Sequence, residues 1–119
     1  MSSSNKVVFL VEPDSAVRDS IRSLLESFDV SIKTYASGRS FLNNAKPNGH
    51  GCVLVESDLP DMTGVDLSKY IRQQGQTLPV VLLTSSNDVG FEKLNQPAVS
   101  AILHKPLKSQ DLVELIESL

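Results

Sequence analysis

The sequence has one cysteine, no tryptophan, two tyrosines and no long hydrophobic run. A single thiol excludes an internal disulfide and a thiolate metal cluster. We interpret Cys52, which lies in an apolar run, as a buried packing residue. The apolar run Val7–Val11 near the start is too short for a signal sequence or for a membrane span of about 20 residues. We therefore expect a soluble, cytoplasmic protein that does not enter a membrane.

The chain also lacks a strong charge of one sign. Its 11 basic and 14 acidic residues give a net charge of −3, and the basic residues are scattered along the sequence. Nucleic-acid binding by this domain is therefore not expected. The 119 residues, with 40% hydrophobic content, suit one domain over residues 1–119, because domains of roughly 100 to 150 residues bury a sufficient core.

Short apolar runs alternate with amphipathic stretches, which is the pattern of successive βα units around a parallel sheet. Three runs are apolar throughout and are predicted to be interior strands, namely Val7–Val11, Cys52–Val55 and Val80–Leu83. Ser31–Tyr35 and Val99–Leu103 contain more polar or small residues and suit the sheet edges. The pattern predicts an α/β, flavodoxin-like doubly wound sheet of five parallel strands in the order 2-1-3-4-5, with helices on both faces.

Two helices are predicted from apolar residues that recur at helical spacing and should pack on the sheet. The first contains Val17, Ile21, Leu24, Leu25 and Phe28. The second follows Ser109, a candidate N-cap residue, and contains Leu112, Leu115, Ile116 and Leu119.

Three further helices are expected between the remaining runs. A short helix follows Ser37 and ends before Pro47, and another runs from about Thr63 to Gln73. The inward side of the latter is predicted to contain Leu67, Tyr70 and Ile71. The fourth helix along the chain, between Asn87 and Gln96, has little apolar periodicity and is expected to be short or irregular.

Polar residues follow four of the predicted strands. In an open parallel sheet the carboxyl ends of the strands meet at one edge, and ligands bind near the point where the strand order reverses. The residues after strands one, three, four and five should therefore form one pocket of carboxylates, hydroxyls and an ammonium. They are Glu12, Pro13 and Asp14, then Glu56, Ser57 and Asp58, then Thr84 and Ser85, and finally Lys105 and Pro106.

Four segments have the order and spacing of a known family. They are residues 7–14, ending in Glu-Pro-Asp, residues 54–64 (Leu-Val-Glu-Ser-Asp-Leu-Pro-Asp-Met-Thr-Gly), residues 81–85 (Val-Leu-Leu-Thr-Ser) and residues 104–106 (His-Lys-Pro). Together they resemble the response-regulator receiver domain, the CheY-like family of two-component phosphorelay signalling, over essentially the whole chain. The resemblance implies that an aspartate at the position of Glu56 accepts a phosphoryl group from a histidine kinase with the help of Mg²⁺. It further implies that Thr84 bonds the phosphoryl oxygen and that Lys105 neutralises its charge.

The phosphoacceptor and the metal site depart from the family pattern. Glu56 replaces the acceptor aspartate, and its added methylene moves the carboxylate by roughly 1.5 Å. A misplacement of about 1 Å can cost on the order of 10²-fold in rate. Pro13 stands where the resemblance implies a direct metal ligand, so the acidic residues Glu12, Asp14 and Asp58 should bind Mg²⁺ weakly or not at all. We expect no cofactor, no dedicated metal ligand and no enzyme activity.

Two roles remain open for Glu56. Its permanent negative charge could partly imitate the phosphorylated state, although a phosphoryl group brings about two charges and three acceptor oxygens. Alternatively, Glu56 forms a static ion pair with Lys105 that satisfies two partly buried charges. Proton sharing between Glu12 and Glu56 is disfavoured, because the nearby Lys105 would counter the repulsion between the carboxylates.

The resemblance also indicates where a partner would bind. Receivers usually act through the fourth helix, fifth strand and fifth helix, and an aromatic residue three positions before the lysine turns inward on activation. Here that residue is Ile102, which cannot make the ring rotation and is interpreted as a packing residue. We expect a protein partner on this face, either a histidine kinase or a downstream effector, and a homodimer is also possible. The Lys105–Pro106 bond matches the cis-peptide position of the family.

The main hypothesis is a pseudo-receiver that binds proteins without being phosphorylated. The alternative is a phosphorylatable receiver that uses Mg²⁺ and a displaced acceptor, Asp58 or Asp61, although loop aspartates more often cap turns or helices. A flavin carrier with its phosphate near Thr84 is disfavoured by the few aromatic residues. His50 and His104 have no helical partner at metal-ligand spacing, so surface or structural roles are expected.

Overall fold

The computed structural model describes residues 6–47, 50–85 and 97–118. The strands are β1 (Val7–Val11), β2 (Ser31–Tyr35), β3 (Gly51–Glu56), β4 (Val80–Thr84) and β5 (Ala101–His104). The helices within these ranges are α1 (Ser15–Glu26), α2 (Gly38–Asn44), α3 (Gly64–Gln73) and α4 (Ser109–Glu117). The helix predicted between Asn87 and Gln96 lies outside the described residues, so α4 denotes the helix near the carboxyl end of the chain. No helix in the described ranges is both long and apolar enough to cross a bilayer.

The predicted sheet is confirmed. All four strand pairs are parallel, and the strand order is β2-β1-β3-β4-β5. The interior strands β3 and β4 are almost entirely buried, whereas the edge strands β2 and β5 are largely half-buried or exposed. The apolar runs thus form the centre of the sheet, and the order reverses between β1 and β3.

Two hydrophobic clusters cover the two faces of the sheet. Because side chains alternate along each strand, Val53 and Leu82 pack toward Phe41 of α2 and Leu67 of α3. The alternate residues of the same strands, such as Leu54, point to the opposite face and pack toward α1 and α4. Helices on both faces confirm the doubly wound architecture. Cys52 is fully buried in the second cluster, and this burial raises the pKa of its thiol to about 12.

Two side chains predicted to face inward are instead exposed. Helix α1 ends at Glu26 with Ser27 as its C-cap, so Phe28 lies in the following turn and is 51% exposed. Tyr70 is 47% exposed, because the buried side of α3 is formed by Gly64, Leu67, Ser68 and Ile71. Ser68 fits this side because its hydroxyl donates to the carbonyl oxygen of Gly64 at 2.8 Å.

The predicted helix ends are confirmed for α2 and α3 but wrong for α4. Ser37 caps α2 by accepting from the Ser40 amide, and Thr63 caps α3 by accepting from the Asp66 amide. Ser109 is instead the first residue of α4, and Lys108 occupies the cap without a side-chain hydrogen bond. Ser109 therefore lies at the start of α4, but one residue after the cap position predicted for it.

Candidate functional site

The carboxyl ends of β1, β3, β4 and β5 bring together the charged and hydroxyl residues that the sequence places there. Val11 lies beside Val55 in the β1–β3 register, so Glu12 follows β1 next to Glu56, the last residue of β3. Thr84 is the fully buried last residue of β4. Its carbonyl oxygen accepts a hydrogen bond of 2.7 Å from the amide of Lys105, which places that lysine directly after β5.

Lys105 joins the two glutamates. Its ammonium Nζ lies 2.8 Å from Oε1 of Glu12 and also forms an ion pair with Oε1 of Glu56. Glu12 and Glu56 are only 1% and 8% exposed, and the Lys105 side chain is 18% exposed. Two buried carboxylates therefore share one ammonium.

The remaining carboxylate oxygens are also engaged. Oε2 of Glu12 accepts from the Asp14 amide at 3.1 Å. Oε2 of Glu56 accepts from the Ser57 hydroxyl at 3.2 Å and lies 3.4 Å from the Asp58 amide. Each of the four oxygens thus has a donor, as buried charged groups require.

Opposing effects act on the protonation of Lys105. Burial alone would lower the pKa of its ammonium, because a low-dielectric environment disfavours the charged form. The hydrogen bonds and negative charges of Glu12 and Glu56 outweigh burial and raise the pKa above its ordinary value. The lysine is therefore held in its charged form.

The loop between β1 and α1 is fixed by hydrogen bonds of its own. Asp14 caps α1, since its Oδ1 accepts from the amides of Ala16 and Val17 at 2.9 and 3.2 Å. Nη1 of Arg18 donates to the carbonyl oxygens of Glu12 and Pro13 at 2.8 and 3.2 Å. The carboxylate of Asp14 thus caps α1, and the guanidinium of Arg18 is a second cation, hydrogen-bonded to the backbone of this loop.

The glycine that begins α3 allows the close packing at the end of β3. A β-carbon on Gly64 would lie 2.7 Å from the carbonyl oxygen of Glu56 and 2.9 Å from Cδ2 of Leu82. The Gly64 amide also donates to the carbonyl oxygen of Ser57 at 2.8 Å. The start of α3 therefore lies directly against the backbone of the residue that carries the central carboxylate.

The two aspartates considered as displaced acceptors have different environments. Asp58 is exposed and forms a backbone bridge with Thr63. Asp61 accepts hydrogen bonds from the amides of Gly38 and Arg39 at 3.1 and 2.8 Å. It therefore caps α2, the helix that precedes it in the chain. The Arg39 bond is the main cause that lowers the pKa of Asp61, and the Gly38 bond adds to it.

Replacement of Asp61 by alanine is expected to lower the free energy of unfolding by about 1 kcal/mol, because the amides of Gly38 and Arg39 at the start of α2 lose their side-chain acceptor. Urea denaturation at neutral pH measures the change. The matched control is Asp58→Ala, whose exposed carboxylate accepts no hydrogen bond from the residues that the structure describes; it should change stability by less than about 0.5 kcal/mol. Equal losses in both variants would contradict the capping role of Asp61.

The other predicted site residues lie near the pocket or on its rim. Ile102 is half-buried and packs against the cluster on the α2–α3 face, as its packing interpretation requires. The Lys105–Pro106 peptide bond is cis. His50 and His104 are exposed. Within residues 6–47, 50–85 and 97–118, no three histidine, cysteine, aspartate or glutamate side chains are grouped so that they could hold a metal ion.

Two contacts near the site were missed from the sequence. The sequence predicts a direct ion pair of Lys105 with Glu56, whereas in the structure Lys105 forms an ion pair with Glu12 as well. The contact of Arg18 with the strand-end carbonyls was not foreseen. The sequence indicates this contact through the position of Arg18. A basic residue one helical turn after the cap residue Asp14 has a side chain long enough to turn back toward the loop.

A family model and curated proteins resemble the chain over most of its length. A family model described as the response regulator receiver domain matches residues 8–117. The response regulator protein TmoT of Ectopseudomonas mendocina is 24% identical over 119 residues, which are 99% of this chain and 54% of that protein. The transcriptional regulatory protein TdiR of Thauera aromatica is 29% identical over 113 residues, which are 93% of this chain and 49% of that protein. The chain thus spans about half the length of these curated relatives.

Solved structures agree with the fold. The response regulator StyR superposes with a TM-score of 0.87 and 29% identity, covering 95% of this chain and 58% of that one. The chemotaxis response regulator CheY4 of Vibrio cholerae superposes with a TM-score of 0.84 over 95% of this chain and 97% of its own. At 22% identity, CheY4 supports the fold alone. The family match over residues 8–117 shows that the chain belongs to the response regulator receiver domain family of two-component signalling.

Proposed function

We propose that this receiver domain is a protein-interaction module that works without phosphorylation. The observation that supports the proposal is the ion-paired state of Glu56 at the acceptor position. Its Oε1 is paired with Lys105, and its Oε2 lies among donors from the residues that follow it. A phosphoacceptor must present a free carboxylate oxygen in line with the phosphodonor, and positional errors of about 1 Å are costly. Glu56 is both displaced by a methylene and held by Lys105.

The donor groups of the pocket also fit Mg²⁺ poorly. Mg²⁺ requires nearly octahedral oxygen ligands at about 2.0 to 2.1 Å. Pro13 offers no carboxylate at the position where the family pattern has a ligand, and Asp14 uses its Oδ1 to cap α1. We therefore propose that the domain does not depend on Mg²⁺.

The ion-pair role of Glu56 is better supported than imitation of a phosphoryl group. A phosphoryl group would bring about two negative charges and three acceptor oxygens. Glu56 brings one charge, and the lysine that would respond to it is shared with Glu12. We propose that the pocket holds the domain in one state.

The function of such a domain would lie on its surface. We propose that a histidine kinase or a downstream effector binds at β5 and α4, the described part of the face predicted from the family. A homodimer through the same face is an alternative occupant. Binding should be equally tight with and without a phosphodonor, because the pocket would not change its charge.

Incubation with acetyl phosphate and Mg²⁺, followed by intact-mass measurement, tests the proposal. We expect no stable gain of a phosphoryl group, while a receiver with an ordinary acceptor aspartate gains one in the same reaction. A stable gain on this chain would overturn the proposed function. The variants Asp58→Asn and Asp61→Asn would then identify a displaced acceptor. Of these two, Asp61 is the weaker candidate because its carboxylate caps α2.

A further inference from the structure

A large aromatic side chain is held outward just after α1. Phe28 is 51% exposed, although Leu25 and Val30 beside it pack on the core. The backbone around it is fixed, because the amides of Phe28 and Val30 both donate to the carbonyl oxygen of Leu25, at 3.0 and 3.1 Å. Asp29 completes this turn with a positive φ of 61°, a backbone conformation that is common where a helix ends. Phe28 is therefore a preorganised apolar group at the surface.

Acidic residues surround Phe28. It lines a small cleft between α1 and α4 together with Glu117. Glu26 and Asp29 are its near neighbours in the chain, and all three carboxylates belong to exposed residues. Lys6 also lies on this side, where its ammonium donates to a backbone carbonyl oxygen of α4 at 3.4 Å. The Phe28 patch, defined as Phe28 with these three carboxylates, is apolar at its centre and acidic at its rim.

A groove beside α3 has the complementary character. Its volume is about 380 Å³, within the range of about 300 to 1,000 Å³ that is typical of ligand clefts. The exposed lining of this α3 groove is mainly apolar and comes from Lys69, Arg72, Gln73, Pro97 and Ala98. Lys69 and Arg72 offer aliphatic stems to the groove and keep their charges at its rim. Arg72 is fixed there, since its Nη1 donates to the carbonyl oxygens of Gln76 and Leu78 at 3.0 and 2.7 Å.

The Phe28 patch and the α3 groove lie on opposite faces of the sheet but at the same edge. The turn after α1 leads into β2, and the end of α3 leads toward β4, so both surfaces lie near the amino ends of the strands. The carboxylate pocket lies at the other edge, where the strands end. Both surfaces can therefore meet a second copy of the chain without covering that pocket.

We propose that Phe28 of one copy of the chain docks into the α3 groove of a second copy. The three carboxylates of the Phe28 patch then face Lys69 and Arg72, so opposite charges align the apolar contact. Among the described residues Lys69 forms no ion pair, which leaves its ammonium for a carboxylate of the other copy. The contact goes beyond the proposed function because it does not involve the acceptor position. It also differs from a homodimer at β5 and α4, since α3 of the second copy supplies the groove.

Sedimentation equilibrium at about 0.1 M salt, where charges within about 10 Å still interact, tests the contact. A small interface with one aromatic anchor predicts weak association of the original chain, with a Kd on the order of 100 µM, so concentrations from about 10 to 1,000 µM are used. We expect Phe28→Ala to weaken association at least about tenfold and Lys69→Glu about fivefold. Lys33→Glu makes the same charge change at an exposed residue of β2 and is expected to associate as the original chain does.

Mixing the variants identifies the two surfaces of the contact. Phe28→Ala keeps the α3 groove and Lys69→Glu keeps the Phe28 patch, so an equimolar mixture should associate more tightly than either variant alone. A mixture no tighter than its components would overturn the inference, as would an original chain that stays monomeric or an association that neither variant weakens. Circular dichroism establishes that each variant is folded. If Phe28→Ala does not fold, Glu117→Lys takes its place, because it reverses an exposed charge of the same patch.

Discussion

Lys105→Met should lower the free energy of unfolding by about 3 kcal/mol, since it leaves two buried carboxylates without their cation. The lysine side chain is partly exposed, which places the loss at the lower end of the range for a broken buried pair. Guanidinium denaturation at neutral pH measures the effect. Lys69→Met is the control and should change stability by less than about 0.5 kcal/mol.

A second variant separates lost charge compensation from lost packing. Adding Glu12→Gln and Glu56→Gln to Lys105→Met removes the uncompensated charges and should restore most of the lost stability. A triple variant as unstable as Lys105→Met would show that the lysine stabilises the domain through packing of its aliphatic stem.

The difference in unfolding free energy between the original chain and Lys105→Met should depend on pH in a defined direction. Because the pKa of Lys105 is raised in the folded domain, its contribution is fully present below the ordinary lysine pKa of about 10.4. The contribution is lost as the pH rises through the higher pKa of the folded state. The gap in stability between the original chain and Lys105→Met should therefore shrink as the solution becomes strongly alkaline. A gap that does not shrink in alkaline solution would contradict the charge contribution of Lys105.

Gly64→Ala should lower the free energy of unfolding by about 2 kcal/mol. The added β-carbon would lie 2.7 Å from the carbonyl oxygen of Glu56 and 3.1 Å from the Ser57 Cα, and neither backbone atom can move without shifting the end of β3. Overpacking of this kind typically costs about 1 to 3 kcal/mol. The end of β3 also carries the Glu56 side chain, so the ion pair with Lys105 should weaken as well.

Gly38→Ala is the matched control, because Gly38 also begins a helix but has a different neighbour. Its added β-carbon would meet Sδ of Met62 at 2.5 Å, and that flexible side chain can turn away. We expect its stability to stay within about 1 kcal/mol of the original chain. Equal losses of stability in Gly38→Ala and Gly64→Ala would show that the position at the start of a helix, and not the contact with β3, determines the loss. Chemical denaturation of both variants in one series makes the comparison.

Much of the fold and part of the site could be predicted from the sequence. Central strands that are buried on both faces are apolar at every position. Apolar runs such as Val80–Leu83 therefore predict where these strands lie in the sequence and that they lie at the centre of the sheet. The meeting of Glu56 and Lys105 followed from the rule that the carboxyl ends of parallel strands share one edge.

The wrong predictions concern positions where the local sequence pattern is compatible with more than one structure. Apolar spacing placed Phe28 on α1, but the helix ends at Glu26 and the chain turns away. On α3 the inward position is taken by Ser68, whose hydroxyl is satisfied within the helix, so Tyr70 points outward. The cap from Asp61 to α2 joins residues 22 and 23 positions apart, and no local signal specifies such a partner.

The Lys105 ion pairs also constrain the order of events during protein synthesis. The lysine lies 93 residues after Glu12 and 49 residues after Glu56. Contacts between such distant residues form slowly, because the intervening chain must first be organised. A ribosome-bound chain that has emerged only through β4 therefore carries both glutamates without their cation. The pocket can reach its final charge balance only after the residues following β5 have left the ribosome and docked.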